Sequence, residues 1–177
     1  MRQVDPKLQR LLAELVMMRL FDEFQEALAG IALRLACGAV YADGSAPQLL
    51  TAAARSAAGA KALYEQHGRR TTNEMKWSKV TYINETTRHV LDANNAFLVA
   101  CSANALVISE MQAVRNRIAH RNASSKKTFA RVVVRYYGAN LNNVSPGLFL
   151  LSSRFRPTML DRYIASCRVI VKTCTRS

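Results

Sequence analysis

Residues 107–137 read VISEMQAVRNRIAHRNASSKKTFARVVVRYY, and two helices placed back to back account for them. In the first half Val107, Met111, Val114 and Ile118 recur at steps of four, three and four, a single apolar stripe on a 3.6-residue repeat. Asn116 and His120 fall on the side opposite that stripe, with Arg115 toward one flank. In the second half Asn122-Ala123-Ser124-Ser125 supplies side-chain acceptors that cap a new helix. Phe129, Val132, Val133 and Tyr136 then form its apolar face, and Lys127, Arg131 and Arg135, four residues apart, form a basic stripe on the other. A strand through Val132-Val133-Val134 is the competing reading. The separation of apolar and basic residues in four-residue steps favours the helix, and Gly138 ends it.

The same periodicity runs outward in both directions. Leu8, Leu11, Leu12 and Leu15, then Phe21, Phe24, Leu28, Ile31 and Leu35, predict one long N-terminal helix with these residues inside. Asp5-Pro6 caps its start and Gly38 stops it, before a turn at Ala42-Asp43-Gly44-Ser45. An alanine-rich helix is expected from Ala46-Pro47 to His67-Gly68, and a further helical pattern from Phe97 to about His120. Within residues 69–84, Arg69-Arg70-Thr71-Thr72-Asn73 is loop-like and Trp77, Val80 and Tyr82-Ile83 either begin a helix or form a short extended piece, and Asp92-Ala93-Asn94-Asn95 reads as an interruption. After a loop over 140–157, whose Leu148-Phe149-Leu150-Leu151 turns inward, Pro157 opens a last helix through Leu160, Ile164, Cys167, Val171 and Cys174. There is no repeat and no low-complexity linker. The expectation is a single all-α domain over residues 1–177.

Charge narrows the partner. Residues 1–114 hold 12 basic and 11 acidic residues, whereas residues 115–177 hold 13 basic residues against one acid, Asp161, so the net +13 is nearly all in the last third. Such a one-sided field attracts polyanions. Half of the 177 residues are hydrophobic and Gly and Pro are few, which excludes disordered and collagen-like classes. No apolar run approaches the roughly 18–20 residues that span a bilayer, and the N-terminus lacks the apolar core of a signal peptide. The expectation is a soluble cytoplasmic protein without a membrane partner. Cys37, Cys101, Cys167 and Cys174 form no C-x-x-C pair and read as buried thiols; neither they nor His67 and His89 have the spacing of a zinc site. No cofactor and no metal are expected.

A histidine beside an arginine on a basic surface suits phosphodiester chemistry. Imidazole moves protons near neutral pH, and guanidinium holds a phosphate by two hydrogen bonds as charge develops. RNA brings its own nucleophile, the 2′-hydroxyl. No G-x-S-x-G, triad context or Gly-rich phosphate loop competes with this reading. His67 reads as a helix-end cap and His89 as a surface or structural residue. Glu85 and Asp92 are acids that could approach His120. Tyr136 falls on the apolar face, and Tyr137 is the more open candidate for stacking on a base.

Arg115-Asn116-Arg117-Ile118-Ala119-His120 resembles the R-N-x-x-x-H motif of the HEPN superfamily, small all-α domains that include many bacterial ribonucleases of toxin–antitoxin and anti-phage systems. The polar Asn after the Arg, the small Ala before the His, and the position on a late core helix share in the likeness. The Pro-Gly-Leu-Phe-Leu loop and closing Leu-x-x-Tyr-Ile helix are similar to the RiboL-PSP-HEPN kind. The resemblance implies a HEPN-like antiparallel helical bundle and a metal-independent endoribonuclease leaving 2′,3′-cyclic phosphate and 5′-hydroxyl ends. It implies His120 as acid/base, Arg115 as phosphate ligand and Asn116 as the group that positions them. It also implies a homodimer with one composite active site, with an antitoxin or another defence-system subunit as a further partner. Arg117, Arg121, Lys127, Arg131, Arg135 and Tyr137 are the expected RNA-binding residues. Some HEPN domains instead bind nucleotides or nucleic acids, or dimerise, without cleaving, and that is the alternative.

Overall fold

The computed structural model describes residues 5–67, 76–139, 141 and 143–176, with the side chain of His67 outside the description. Eight helices occur among them: α1 Pro6–Ala36, α2 Ala57–His67, α3 Val80–Thr87, α4 Ala96–Ala103, α5 Ala105–Ala119, α6 Ala123–Tyr137, α7 Pro146–Leu150 and α8 Met159–Thr175. Among the described residues no strand forms, and Leu49 and Leu91 make an isolated antiparallel bridge. The fold class is all-α. No single helix among the described residues is long and apolar enough to cross a membrane.

The helix ends follow their local chemistry. The Asp5 carboxylate accepts the Lys7 N–H at 2.9 Å, and Pro6 occupies the first helical position, where its missing N–H costs nothing. At the far end Gly38 adopts φ +81°, and the Ala39 N–H reaches back to the Arg34 carbonyl at 3.0 Å. Asn122 accepts the Ser125 N–H at 2.8 Å to start α6, and Gly138 closes it at φ +73°. Thr158 and Asp161 cap α8 reciprocally, each accepting the other's backbone N–H at 3.3 Å.

Several expectations change, and the loop expected over 140–157 contains the short helix α7. The alanine-rich helix begins at Ala57 rather than Ala46. The preceding residues take distant backbone partners: Leu50 N–H donates to Val90, Asp92 N–H to Gln48, and Ala54 N–H to Ala36. Those bonds replace the local ones that alanine favours, so tertiary context overrides propensity. The helix expected over 97–120 divides at Asn104, whose side-chain amide donates to the Ala100 carbonyl at 2.8 Å.

A further change concerns α1. Ala13, Met17, Phe21, Phe24, Leu28, Ala32, Leu35 and Ala36 are its buried residues, whereas Leu8, Leu11, Leu12 and Leu15 are 48–65% exposed. At 100° per residue, the face that carries Phe21 and Leu28 runs back through Met17 and Ala13. The four leucines lie on the opposite side. A smaller rotation occurs in α8, where Met159, Tyr163, Cys167, Ile170 and Cys174 are buried and Leu160, Ile164 and Val171 are half-buried. Of residues 69–84, those from 69 to 75 lie outside the described set; Trp77 is buried, and of the two readings for Val80 and Tyr82-Ile83 the helix is the one that forms, as α3.

The chain groups into two compact units, and α1, α5 and α8 contribute to both. In the unit formed by residues 24–108 and 167–177, Tyr64 donates its hydroxyl to the Ala32 carbonyl at 2.8 Å and meets Trp77 edge-on. There too the Tyr41 hydroxyl donates to Asn95 at 2.6 Å, and Asn95 caps α4. The unit formed by residues 1–23 and 109–166 holds every sequence-predicted site residue. Its aromatic core packs Phe129, Tyr136, Tyr137, Phe149 and Phe155 mostly edge to face, with Tyr137 tilted at 45° to Phe149 and centroids 5.4–6.4 Å apart.

Candidate functional site at the α5–α6 corner

α5 buries Met111, Ala113 and Val114, while Val107 and Ile118 are half-buried. The remaining faces of its last two turns carry the motif. Asn116 and Arg117 are half-buried, and His120 is exposed immediately past the end of the helix. Backbone bonds hold His120 from both sides: its N–H donates to the Asn116 carbonyl at 2.9 Å, and its carbonyl accepts the Ser125 hydroxyl. Asn122 in turn caps Ser125, so α5, His120 and α6 meet at one short corner.

Arg115 lies on another side of the helix and finds a partner that the motif does not contain. Its Nη2 reaches Asp22 Oδ1 of α1 at 3.4 Å, with the arginine side chain 27% exposed. Its Nε is buried without a hydrogen-bond partner. The guanidinium is thus oriented by one carboxylate while the side chain stays part-exposed. Asp22 and Arg115 are 93 residues apart, and the only sequence signal for Asp22 was its place on the flank of the α1 stripe.

The expected RNA-binding residues divide into two sets. Arg121, Lys127 and Arg131 are exposed and, with Lys126 beside them, make the corner strongly basic. Arg135 is committed inward: its Nη1 donates to Glu110 of α5, a carboxylate only 3% exposed. The Tyr136 hydroxyl donates to the other Glu110 oxygen at 2.8 Å. Burial, and then that bond to the carboxylate, pushes the Tyr136 hydroxyl up to about 12. The Tyr163 hydroxyl is buried without a hydrogen-bond partner, and its pKa is raised first by burial and then by the Glu110 charge. Tyr137 is half-buried, edge-on to Phe155 at 5.4 Å, with the Arg154 guanidinium 5.2 Å over its ring. One face of that ring is therefore already occupied.

The other titratable candidates have local roles. His89 Nε2 accepts from the Arg88 Nε at 3.1 Å, and Asp92 accepts the Asn94 N–H at 2.8 Å. His67 ends α2, and its side chain lies outside the described residues. No disulfide joins any of the four cysteines, and the Cys101 and Cys174 sulfurs are 3.8 Å apart. The hydrogen bond with Cys174 and burial raise the Cys101 pKa, and burial pushes Cys167 up to about 12, so both stay protonated and are poor nucleophiles. Among the described residues no three metal-ligating side chains converge. Compared with known proteins, the chain matches no protein-family model, no curated protein and no solved structure.

Proposed function

We propose that this chain is a HEPN-type endoribonuclease that cleaves RNA without a metal, by attack of the 2′-hydroxyl on the adjacent phosphate. The observation that carries the reading is a part-exposed Arg115, oriented by Asp22, on the same helix that leads into a solvent-facing His120. Arg115 binds the phosphate and stabilises the charge that grows on its oxygens. His120 transfers the proton, and Asn116 and the Ser125 bond fix the backbone from which the imidazole projects. Arg121, Lys127 and Arg131 hold the strand by its phosphates. Products are a 2′,3′-cyclic phosphate and a 5′-hydroxyl, and the proposed setting is bacterial defence or a toxin–antitoxin pair.

A second reading has its own support. Asp22 already pairs with Arg115, and a carboxylate there can be a permanent counter-ion in a domain that binds nucleic acid or a nucleotide without cleaving it. A cleavage assay in EDTA separates the two. The proposal expects wild-type protein to leave cyclic phosphate ends, and His120→Ala and Arg115→Ala, both folded, to lose at least about a hundredfold in rate, the scale of general acid–base catalysis. Binding without cleavage, equal in wild type and His120→Ala, assigns the second reading.

A further inference from the structure

We propose that Cys101 and Cys174 form an oxidation site, a thiol pair that hydrogen peroxide converts into a disulfide fastening the last turn of α8 to α4. Their sulfurs are 3.8 Å apart, in van der Waals contact, although 73 residues separate them in the chain. Both belong to the unit formed by residues 24–108 and 167–177, and both are fully buried. A disulfide brings its sulfurs to about 2.05 Å, so closure asks for a small movement shared between two side chains. Cys167 is not an alternative partner for Cys174. It lies seven residues earlier on the same helix, roughly 10 Å along the axis.

The surroundings show what the bond would fasten. Cys174 Sγ also approaches the carbonyl of Phe97, one turn before Cys101 on α4, at 3.9 Å. Beyond Cys174, the Thr175 carbonyl accepts the Ala42 N–H at 2.9 Å, and Arg176 donates to Ser45 Oγ at 2.7 Å. The Arg176 guanidinium sits 4.9 Å over the ring of Tyr41, whose hydroxyl donates to the α4 cap Asn95. Its pairing with Asp43 is long, at 3.5 Å, with both side chains 42–43% exposed, so water competes for it. With the thiols reduced, the end of α8 is therefore held by polar contacts at its rim and a weak thiol contact inside. A disulfide replaces the weakest of these with a covalent bond.

Cys174 is the attacking sulfur, because the end of a helix opens at less cost than its middle. Its sulfur bonds to one peroxide oxygen as the O–O bond breaks, and the thiol proton leaves with the departing hydroxide as water. The resulting sulfenic acid faces Cys101, whose sulfur displaces the hydroxyl, and the Cys101 proton leaves with it as a second water. Two thiols thus lose two electrons, and one peroxide becomes two waters. Burial and the hydrogen bond between the thiols keep Cys101 protonated, which slows the reaction and leaves the approach of the two sulfurs intact. In a reducing compartment the pair rests as thiols and closes when peroxide rises. This inference concerns α4 and α8 and is independent of whether RNA is bound or cleaved.

Peptide mapping of the full chain tests it: peroxide treatment, alkylation under denaturing conditions, then trypsin without reductant. The expected product joins residues 89–115 to residues 173–176, lighter than their sum by two hydrogens, and dithiothreitol separates them. Two of the four thiols should be lost, with Cys37 and Cys167 still alkylated. The Tm should rise by roughly 5–10 °C, the scale for a bridge that closes a long loop in a chain of this size. Cys174→Ser should abolish both the joined peptides and the rise, with Cys174→Ala in its place should a buried hydroxyl unfold the chain. Cys101→Ser should leave a sulfenic acid at Cys174 that dimedone traps. Four intact thiols after peroxide overturn the inference, as do a bridge to Cys37 or Cys167, a bridge between two chains, or sulfonic acids in place of a bridge. A rise in Tm that is equal in wild type and Cys174→Ser overturns the fastening of α8.

Discussion

Arg135 provides the most direct energetic test of how α6 is fastened to α5. Arg135→Met removes the guanidinium from Glu110, whose side chain is 3% exposed, and leaves that carboxylate with the Tyr136 hydroxyl alone. Severing a fully buried pair costs about 3–5 kcal/mol, and severing an exposed one at most about 1 kcal/mol. The Arg135 side chain is 49% exposed, so water reaches one partner and not the other. The working value is therefore between the two limits, about 2–3 kcal/mol. For a chain of this length that corresponds to a fall of roughly 5–10 °C in Tm. Urea denaturation followed by circular dichroism gives the difference. The double variant Glu110→Met/Arg135→Met removes both charges and should recover most of the loss, because the penalty comes from the stranded carboxylate rather than from the absence of a bond. A change under about 0.5 kcal/mol, with a double variant no more stable than the single one, would refute this reasoning. If the variant keeps its stability but loses RNA affinity, Arg135 belongs with the strand-holding residues instead.

Other consequences follow from the same unit. Asp22→Asn removes the carboxylate from a part-exposed pair worth about 1 kcal/mol, and should lower the cleavage rate constant roughly fivefold with little change in KM; steady-state kinetics on a short RNA reads the split. Gly147→Ala places a Cβ 2.7 Å from the Arg10 carbonyl oxygen, which forces α7 off α1 and should cost about 1–3 kcal/mol in urea denaturation. Alkaline pH should destabilise the protein through Tyr136. Its folded pKa of about 12 lies above the ordinary tyrosine value, so its contribution is full below about pH 10 and is lost as pH rises toward 12. Stability measured across that range should fall less steeply in Tyr136→Phe.

What the sequence made legible was local. Asp5-Pro6, Asn122 and Gly138 each act on backbone groups within a few residues, and each ends its helix where the sequence placed it. The motif stretch was legible for the same reason, as the face of a single helix. Periodicity placed the leucines at 8–15 inside together with the aromatics at 21 and 24, whereas only the second stripe packs inward and the leucines stay exposed. Arg115 with Asp22 and Arg135 with Glu110 were not legible, since no spacing rule reaches across 93 or 25 residues. The same holds for Gln48, Leu50 and Ala54, whose hydrogen bonds go to Asp92, Val90 and Ala36 and displace an otherwise favourable helix.

The α5–α6 corner bears on the order in which this protein becomes competent. His120 is tied to Asn116 four residues before it and to Ser125 five residues after it, contacts that need little loop closure and form early in a folding chain. Arg115 acquires its orientation only when Asp22 arrives from the N-terminal helix, a closure across more than half of the chain. An incompletely folded molecule thus has its histidine in place while its arginine is still unguided. The orientation of Arg115 therefore depends on a long-range contact with α1 rather than on formation of the motif stretch itself.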